Sequence, residues 1–356
     1  MKSSARPLRI AVAGAGAIGR RHIELIGESA ECVLSAIVDP SSASIDLAQR
    51  AGVPRCATLA ELLATDRPDG VIDATPNNLH VAHALQCLDA KVGVLVEKPV
   101  AHSVEAGERL VRAAAATTDA RILVGHHRAH SPILAKAQEI IQSGTLGALV
   151  GVTASAMFYK PDRYFTDAAW RRQIGGGPIL INLIHEIGNL RSLCGEIVAV
   201  QALQSNATRG FEVEDTAAIL LRFANGALGT FLLSDTAAAA RSWEQTSQEN
   251  KDYASCDDED CYVVTGTRGS LSIPTMRLKT FGVGRPRSWF EPYENSVARV
   301  ERRDPLERQL AHFCAVLRGE AAPLVTALDG LQNLRIVEAI ALAARSGAVV
   351  DTAAHA

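Results

Sequence analysis

A glycine-rich turn, Gly14-Ala15-Gly16-Ala17-Ile18-Gly19, follows the short apolar run Leu8–Ala13 and opens a stretch of helical periodicity. In that context each glycine has its own task. Gly14 permits a tight turn, Gly16 lets the backbone approach a pyrophosphate, and Gly19 lets helix and strand pack closely. The freed N–H groups around Ala17 and Ile18, with the positive end of the helix, would then meet the phosphates. Asp39 stands twenty positions after Gly19 and ends a second apolar run, Val33–Val38. A carboxylate there can accept hydrogen bonds from adenosine ribose hydroxyls and would repel a 2′-phosphate. No Arg directly follows it, so NAD is expected rather than NADP.

Further along, residues occur that could move protons or hold charge. Lys98 closes the run Val92–Val96, and open α/β sheets bind ligands at the C-terminal ends of their strands. It could act as a fixed cation against a developing alkoxide, or as a proton acceptor where burial lowers its pKa. His185 ordinarily titrates near neutrality, which suits acid–base work. On the apolar stretch Leu180–Ile184, a lone His equally suits a satisfied core position. Gly125-His126-His127-Arg128-Ala129-His130 holds three histidines within five residues, two of them at i, i+4 spacing. No paired Glu general base accompanies them, and no metal is expected. Arg128, Lys160, Arg163, Arg171 and Arg172 suit carboxylate recognition or a solvated surface.

The elements that must position these residues fall into two rhythms. From residue 8 to about 125, apolar runs at Leu8–Ala13, Val33–Val38, Gly70–Ala74, Val92–Val96 and Arg121–Gly125 alternate with helical stretches beginning near Ala17, Ser44, Asn77 and Ser103. Continuous apolar strands separated by helices predict a doubly wound parallel sheet covered on both faces, a Rossmann α/β domain. After about residue 148, strand-like segments at 149–158, 197–207, 215–223, 226–234, 261–266 and 269–274 follow one another, separated by turns such as Ala224-Asn225-Gly226. They predict an α+β domain with a large, mostly antiparallel sheet and a helix near 178–193 on one face. The polar stretch 236–260 reads as a mobile loop, and 306–346 returns to helical periodicity. The expected division is 1–126 for cofactor binding, 127–305 for substrate and oligomerisation, and 306–356 as C-terminal helices packing back on both.

At Glu97-Lys98-Pro99 the chain resembles the Gfo/Idh/MocA oxidoreductases, named for glucose–fructose oxidoreductase and inositol dehydrogenase. Ala74-Thr75-Pro76-Asn77-Asn78-Leu79-His80 is similar to that family's Thr-Pro-Asn-x-x-His loop. Trp170-Arg171, Gly175-Gly176-Gly177 and His185 resemble its second-domain signature. The resemblance runs on from Phe313 through Gly319, Pro323, Asp329-Gly330 and Glu338-Ala339 to Gly347. It implies that Thr75, Pro76, Asn77, His80, Glu97, Lys98 and His127 lie at the cofactor. It also implies that Lys98, Arg128, Lys160, Trp170, Arg171, Asn182 and His185 lie at the substrate, with Lys98 and His185 catalytic and converging on one substrate oxygen. One departure stands out. The family usually carries Asp four residues before the His, where this chain has Ile181; Asn182, three before it, shares the helix face but cannot serve as a carboxylate.

The resemblance implies an NAD-dependent dehydrogenase of a secondary alcohol on a cyclic sugar, inositol or other polyol. The apolar run Gly177–Ile184 and the cations leave a carboxylated cyclic dihydrodiol as an alternative, and the loss of Asp leaves a non-catalytic NAD-binding sensor. Bulk composition fits these classes. The 356 residues are 47% apolar and 21% charged with a net charge of −3, which excludes nucleic acid and anionic membrane as electrostatic partners. Seven scattered cysteines read as reduced thiols, and Met1–Arg9 shows no apolar h-region, so a cytoplasmic protein is expected. An exposed face on the antiparallel sheet would need covering, which predicts a homodimer or homotetramer.

Overall fold

The computed structural model describes residues 6–282 and 284–352. Up to residue 125 the chain forms strands β1 (Leu8–Ala13), β2 (Cys32–Val38), β3 (Arg55–Cys56), β4 (Gly70–Asp73), β5 (Gly93–Glu97) and β6 (Ile122–Gly125). Helices α1 (Ala17–Glu28), α2 (Ala43–Ala51), α3 (Leu59–Thr65), α4 (Asn77–Asp89) and α5 (Val104–Ala116) alternate with them. All six strands pair in parallel in the order β3-β2-β1-β4-β5-β6. The order reverses between β1 and β4, and the crevice beyond their C-terminal ends is where such sheets take ligands. Strands β4, β5 and β6 are buried throughout, and β1 is buried from Ile10 onward, as a sheet covered on both faces requires.

Next come α6 (Pro132–Gln142), β7 (Leu149–Tyr159), α7 (Asp162–Thr166), α8 (Pro178–Ile181) and α9 (Leu183–Cys194). Strands β8 (Ile197–Ser205), β9 (Thr216–Phe223), β10 (Leu228–Ser234) and β11 (Thr236–Arg241) follow, then α10 (Trp243–Ser247). Strands β12 (Tyr262–Gly266), β13 (Gly269–Ile273), β14 (Arg277–Thr280) and β15 (Glu294–Val297) complete this stretch, and α11 (Pro305–Arg318), α12 (Ala327–Ser346) and β16 (Val350–Asp351) end the chain. Strands β7 to β16 form a second sheet in which the β7–β10 pair is parallel and the other pairs are antiparallel. One face carries the core of Ala154, Val200, Ile219, Leu221, Phe231 and Val264 with Leu183, Ile187 and Leu190 of α9.

The chain divides into two compact units. One runs to His130 and includes Pro305–Leu334; the other comprises Ser131–Asp304 and the chain from Arg335. The C-terminal segment is therefore shared, with the boundary falling inside α12. Three other features differ from the sequence expectation. The helix expected near 178–193 is two helices, broken at Asn182 (φ −105°, ψ −49°). The stretch 236–260 is not a loop throughout but contains β11 and α10. Part of its polar content is held inside the fold: Trp243 Nε1 donates to Glu249 Oε2 at 3.1 Å, and Ser131 Oγ donates to Glu249 Oε1 at 2.5 Å. Helix α3 also escaped the periodicity. Its signal was the Thr58-x-x-Glu61 cap, in which Thr58 Oγ1 accepts from Glu61 N at 3.2 Å while Glu61 Oε2 accepts from Ala57 N at 2.8 Å.

Candidate active site

In the first unit the glycine turn is built by excluding side chains. Gly14 has φ +87°, and a Cβ there would lie 2.5 Å from Ala74 O. A Cβ on Gly19 would lie 1.9 Å from Gly14 O, so the first turn of α1 rests directly on the glycine loop. A Cβ on Gly16 would meet nothing within 4 Å, so the space beside it is open to an approaching group. Gly16 caps α1 without a side-chain hydrogen bond, and the first turn holds no acidic residue. Ala17 is exposed and Ile18 half-buried. Free N–H groups at a helix start whose first turn holds no acidic residue fit the pyrophosphate of a dinucleotide.

Asp39 fixes this turn to the end of β2. Its Oδ2 accepts from Ala15 N at 2.8 Å, and its Oδ1 accepts from Ser41 N at 2.8 Å and from the Ser41 hydroxyl. Partial burial pushes its pKa up, but these hydrogen bonds and the charge of Arg55 outweigh burial and hold it below the usual carboxylate range. The charged carboxylate keeps lone pairs for ribose hydroxyls and a field that disfavours a 2′-phosphate.

The loops after β4 and β5 are tied together. Asp73, fully buried at the end of β4, accepts from Thr75 Oγ1 at 2.6 Å. The buried His80 ring places Nδ1 2.8 Å from Pro99 O and Nε2 2.9 Å from Thr75 O. His80 thus joins the Thr75–Asn77 loop to Glu97-Lys98-Pro99 and is not itself open to a ligand. Glu97 is likewise buried. Its Oε1 lies 2.8 Å from His22 Nε2 on α1, and its Oε2 accepts from Lys98 N at 3.2 Å. Burial raises the Glu97 pKa, but the His22 hydrogen bond and the charges of His22, His127 and Lys98 outweigh it and keep the carboxyl low. Lys98 itself is half-buried at the C-terminal end of β5. Sequence reasoning found the loops but missed His22 and Asp73, whose partners lie 75 and two residues away.

Beyond β6, His127–His130 form a 3-10 turn. The histidines separate: His126 Nε2 lies 3.2 Å from Asn333 Nδ2, His127 is half-buried, and the buried His130 ring packs at 5.1 Å from His312. Arg128 is buried at 3% exposure. Among the described residues no three His, Cys, Asp or Glu side chains are grouped to hold a metal ion.

In the second unit Lys160, at the end of β7, is buried and donates from Nζ to Asn182 Oδ1 at 2.8 Å, with Asp235 Oδ2 at 3.3 Å. Burial lowers its pKa; Asp235 opposes this and Arg209 and Arg171 reinforce it. The Tyr164 ring lies between two cations, with Lys160 Nζ 4.8 Å and the Arg171 guanidinium 3.8 Å from its centre. Arg171 Nη1 also donates to Tyr164 O at 2.8 Å, whereas Trp170 is exposed. Glycines again admit neighbours: a Cβ on Gly177 would lie 2.3 Å from Glu214 Oε1, which accepts from Ile179 N at the start of α8. His185 is buried in the first turn of α9, its backbone N–H donating to Asn182 O at 3.1 Å. Asp235, Arg209 and Glu214, which complete this cluster, carried no motif that sequence reading could use.

A dinucleotide cradle at the switch point of a doubly wound sheet, with a strand-end lysine beside it, defines an NAD-dependent oxidoreductase acting on CH–OH groups. Residues 8–126 match the family profile described as an NAD-binding Rossmann-fold oxidoreductase, and residues 134–272 match the GFO/IDH/MocA C-terminal domain. The chain belongs to the Gfo/Idh/MocA family. It is similar to an inositol 2-dehydrogenase of Rubrobacter xylanophilus, 26% identical over 98% of this chain and 94% of the relative. It is also 26% identical to a 1,5-anhydro-D-fructose reductase of Ensifer adhaerens, over 84% of this chain and 85% of that protein. The fold matches a WlbA dehydrogenase from Bordetella pertussis solved with NADH and UDP-GlcNAcA (TM-score 0.77, 24% identity, covering 97% of this chain and 99% of the other). It also matches an Agrobacterium radiobacter oxidoreductase solved with NAD+, L-tartaric acid and magnesium (TM-score 0.80, 21% identity, 99% and 100%).

Proposed function

We propose that the chain oxidises a secondary alcohol on a cyclic sugar or polyol, passing hydride to NAD. The observation that carries this reading is the fixed placement of Lys98 beside the cofactor loops, held through Glu97 to α1 and through Pro99 to His80. The full-length likeness to an inositol 2-dehydrogenase supports the substrate class.

NAD, when bound, supplies the hydride acceptor. The chain's own groups handle the proton. As the carbinol C–H bond breaks, the hydroxyl must lose its proton, and the oxygen carries negative charge until it becomes a carbonyl. We assign Lys98 to hold that oxygen as a fixed cation and His185 to accept the proton. The first role needs no shift in Lys98 ionisation, and the second suits an imidazole. Steady-state kinetics test both roles. Lys98→Ala and His185→Ala should each lower kcat about 10²–10⁴-fold; near-native turnover in either variant removes that residue from the mechanism.

The same reading places the enzyme in a reducing, cytoplasmic compartment, supported by seven cysteines that are all free thiols, six of them buried. Among the described residues no helix is long and apolar enough to cross a membrane. Association of copies through the sheet is part of the proposal. Leu203, Leu220, Leu228 and Leu232 stand exposed on β8, β9 and β10, on the face opposite the core. An apolar row on a flat sheet favours a second copy of the same face. Light scattering should give a dimer or tetramer, and Leu220→Lys should shift it toward monomer.

A further inference from the structure

We propose that Lys160 is a positioning residue that fixes the Asn182 carboxamide as a hydrogen-bond donor toward the substrate, so that the enzyme selects a ring bearing a carboxylate. This rests on the assignment of His185 to the substrate side.

An ammonium has three N–H groups and no lone pair, so the atom of Asn182 that meets Lys160 Nζ at 2.8 Å must be the carbonyl oxygen. The amide orientation follows from that contact, and the NH₂ group must face the other way. Asn182 is half-buried at the N-cap of α9, three residues before His185. Its backbone is held as well, with N donating to Pro178 O at 2.9 Å and O accepting from His185 N at 3.1 Å. The residue that could present either an acceptor or a donor therefore presents two N–H groups. An Asp on this helix face would present only acceptors and would suit hydroxyl donors of a neutral polyol.

The charges around Lys160 favour an anion over a neutral acceptor. Arg209 and Arg171 lie close enough to act on Lys160, and Asp235 is its close counter-charge. Asp235 is shared, because Arg209 Nε also lies 3.1 Å from its Oδ1. The Glu214 carboxylate accepts from Ile179 N at 2.8 Å, and Asp162, 3.7 Å from Arg209, is exposed to solvent, so Asp235 is the buried carboxylate that Lys160 and Arg209 share. Amide donors backed by an incompletely neutralised cation cluster match a carboxylate, which only accepts.

The test is a binding comparison on NADH-loaded protein, by calorimetry, between D-galacturonate and D-galactose, two rings that differ by a carboxylate. Wild type should bind the acid about tenfold or more tightly than the neutral sugar, the size of one charge-assisted hydrogen bond. Asn182→Asp should reverse the preference. Lys160→Met should bring the ratio toward unity, and its thermal midpoint should show that the protein remains folded. Equal binding of the two sugars by wild type, no binding of galacturonate at millimolar concentration, or ratios unchanged in both variants would overturn the proposal. Failure of the catalytic assignment reads separately, as native turnover in His185→Ala with the binding ratio intact.

Discussion

The glycine turn of the first unit and the lysine cluster of the second are built by opposite means. The turn consists of backbone N–H groups exposed by missing side chains, over six consecutive residues. The cluster consists of charged and polar side chains from residues 160, 171, 182, 209 and 235, brought together by β7, α8, β10 and the loops between. In the first, a single added atom does the damage. In the second, damage comes from removing a charge whose partners are already buried.

Gly19→Ala should show the larger effect. The new Cβ would fall 1.9 Å from a backbone oxygen, which cannot swing aside, so about 3 kcal/mol or more of stability should be lost together with NADH binding. Urea unfolding and nicotinamide fluorescence read the two losses. Arg209→Met should cost less, about 1–3 kcal/mol, because Asp235, 2% exposed, keeps Lys160 as its remaining cationic partner. There NADH affinity should persist, and a matching loss of NADH binding would break the contrast.

Gly16→Ala sharpens the comparison from within the turn. Its Cβ would meet open space, so stability should hold within about 0.5 kcal/mol. NADH should nevertheless bind about tenfold more weakly, since the methyl would occupy the room a phosphate needs. Equal effects of Gly16→Ala and Gly19→Ala on stability would show that the two glycines do not have separate tasks.

The last effect is a pH slope. Burial, reinforced by the charge of His312, pushes His130 down to about 3 from an ordinary value of 6.5. Between those values the unfolded chain binds the extra proton, so stability rises with pH across this window and is lost as pH falls through it. The slope is at most about 1.4 kcal/mol per pH unit. His130→Phe should flatten it relative to wild type between about pH 4 and 6; parallel slopes would remove His130 as the cause.

The same contrast explains what the sequence made legible. Gly14, Gly16, Gly19 and Asp39 could be read because their tasks follow from local spacing, and the parallel sheet could be read because continuous apolar strands have few other uses. His22, Arg209 and Asp235 could not, since each gains its meaning from a partner that only tertiary structure supplies. Asn182 was visible as a departure, but the direction of its amide was not, because Lys160 sets it from 22 positions away. Helix α10 was hidden for another reason: it is five residues long and buries the polar Thr246 and Ser247, so its composition mimicked a solvated loop.

The His80 ring makes one mechanical part of two loops. Its two nitrogens lie 2.8 Å from Pro99 O and 2.9 Å from Thr75 O, so a rigid, planar ring spans the two loops. Substitutions that retune the Lys98 loop for a new substrate are thereby transmitted to the loop that the family resemblance sets against the cofactor. Substrate preference in this scaffold should consequently drift more freely through the second unit, where side chains can be exchanged without moving that linkage.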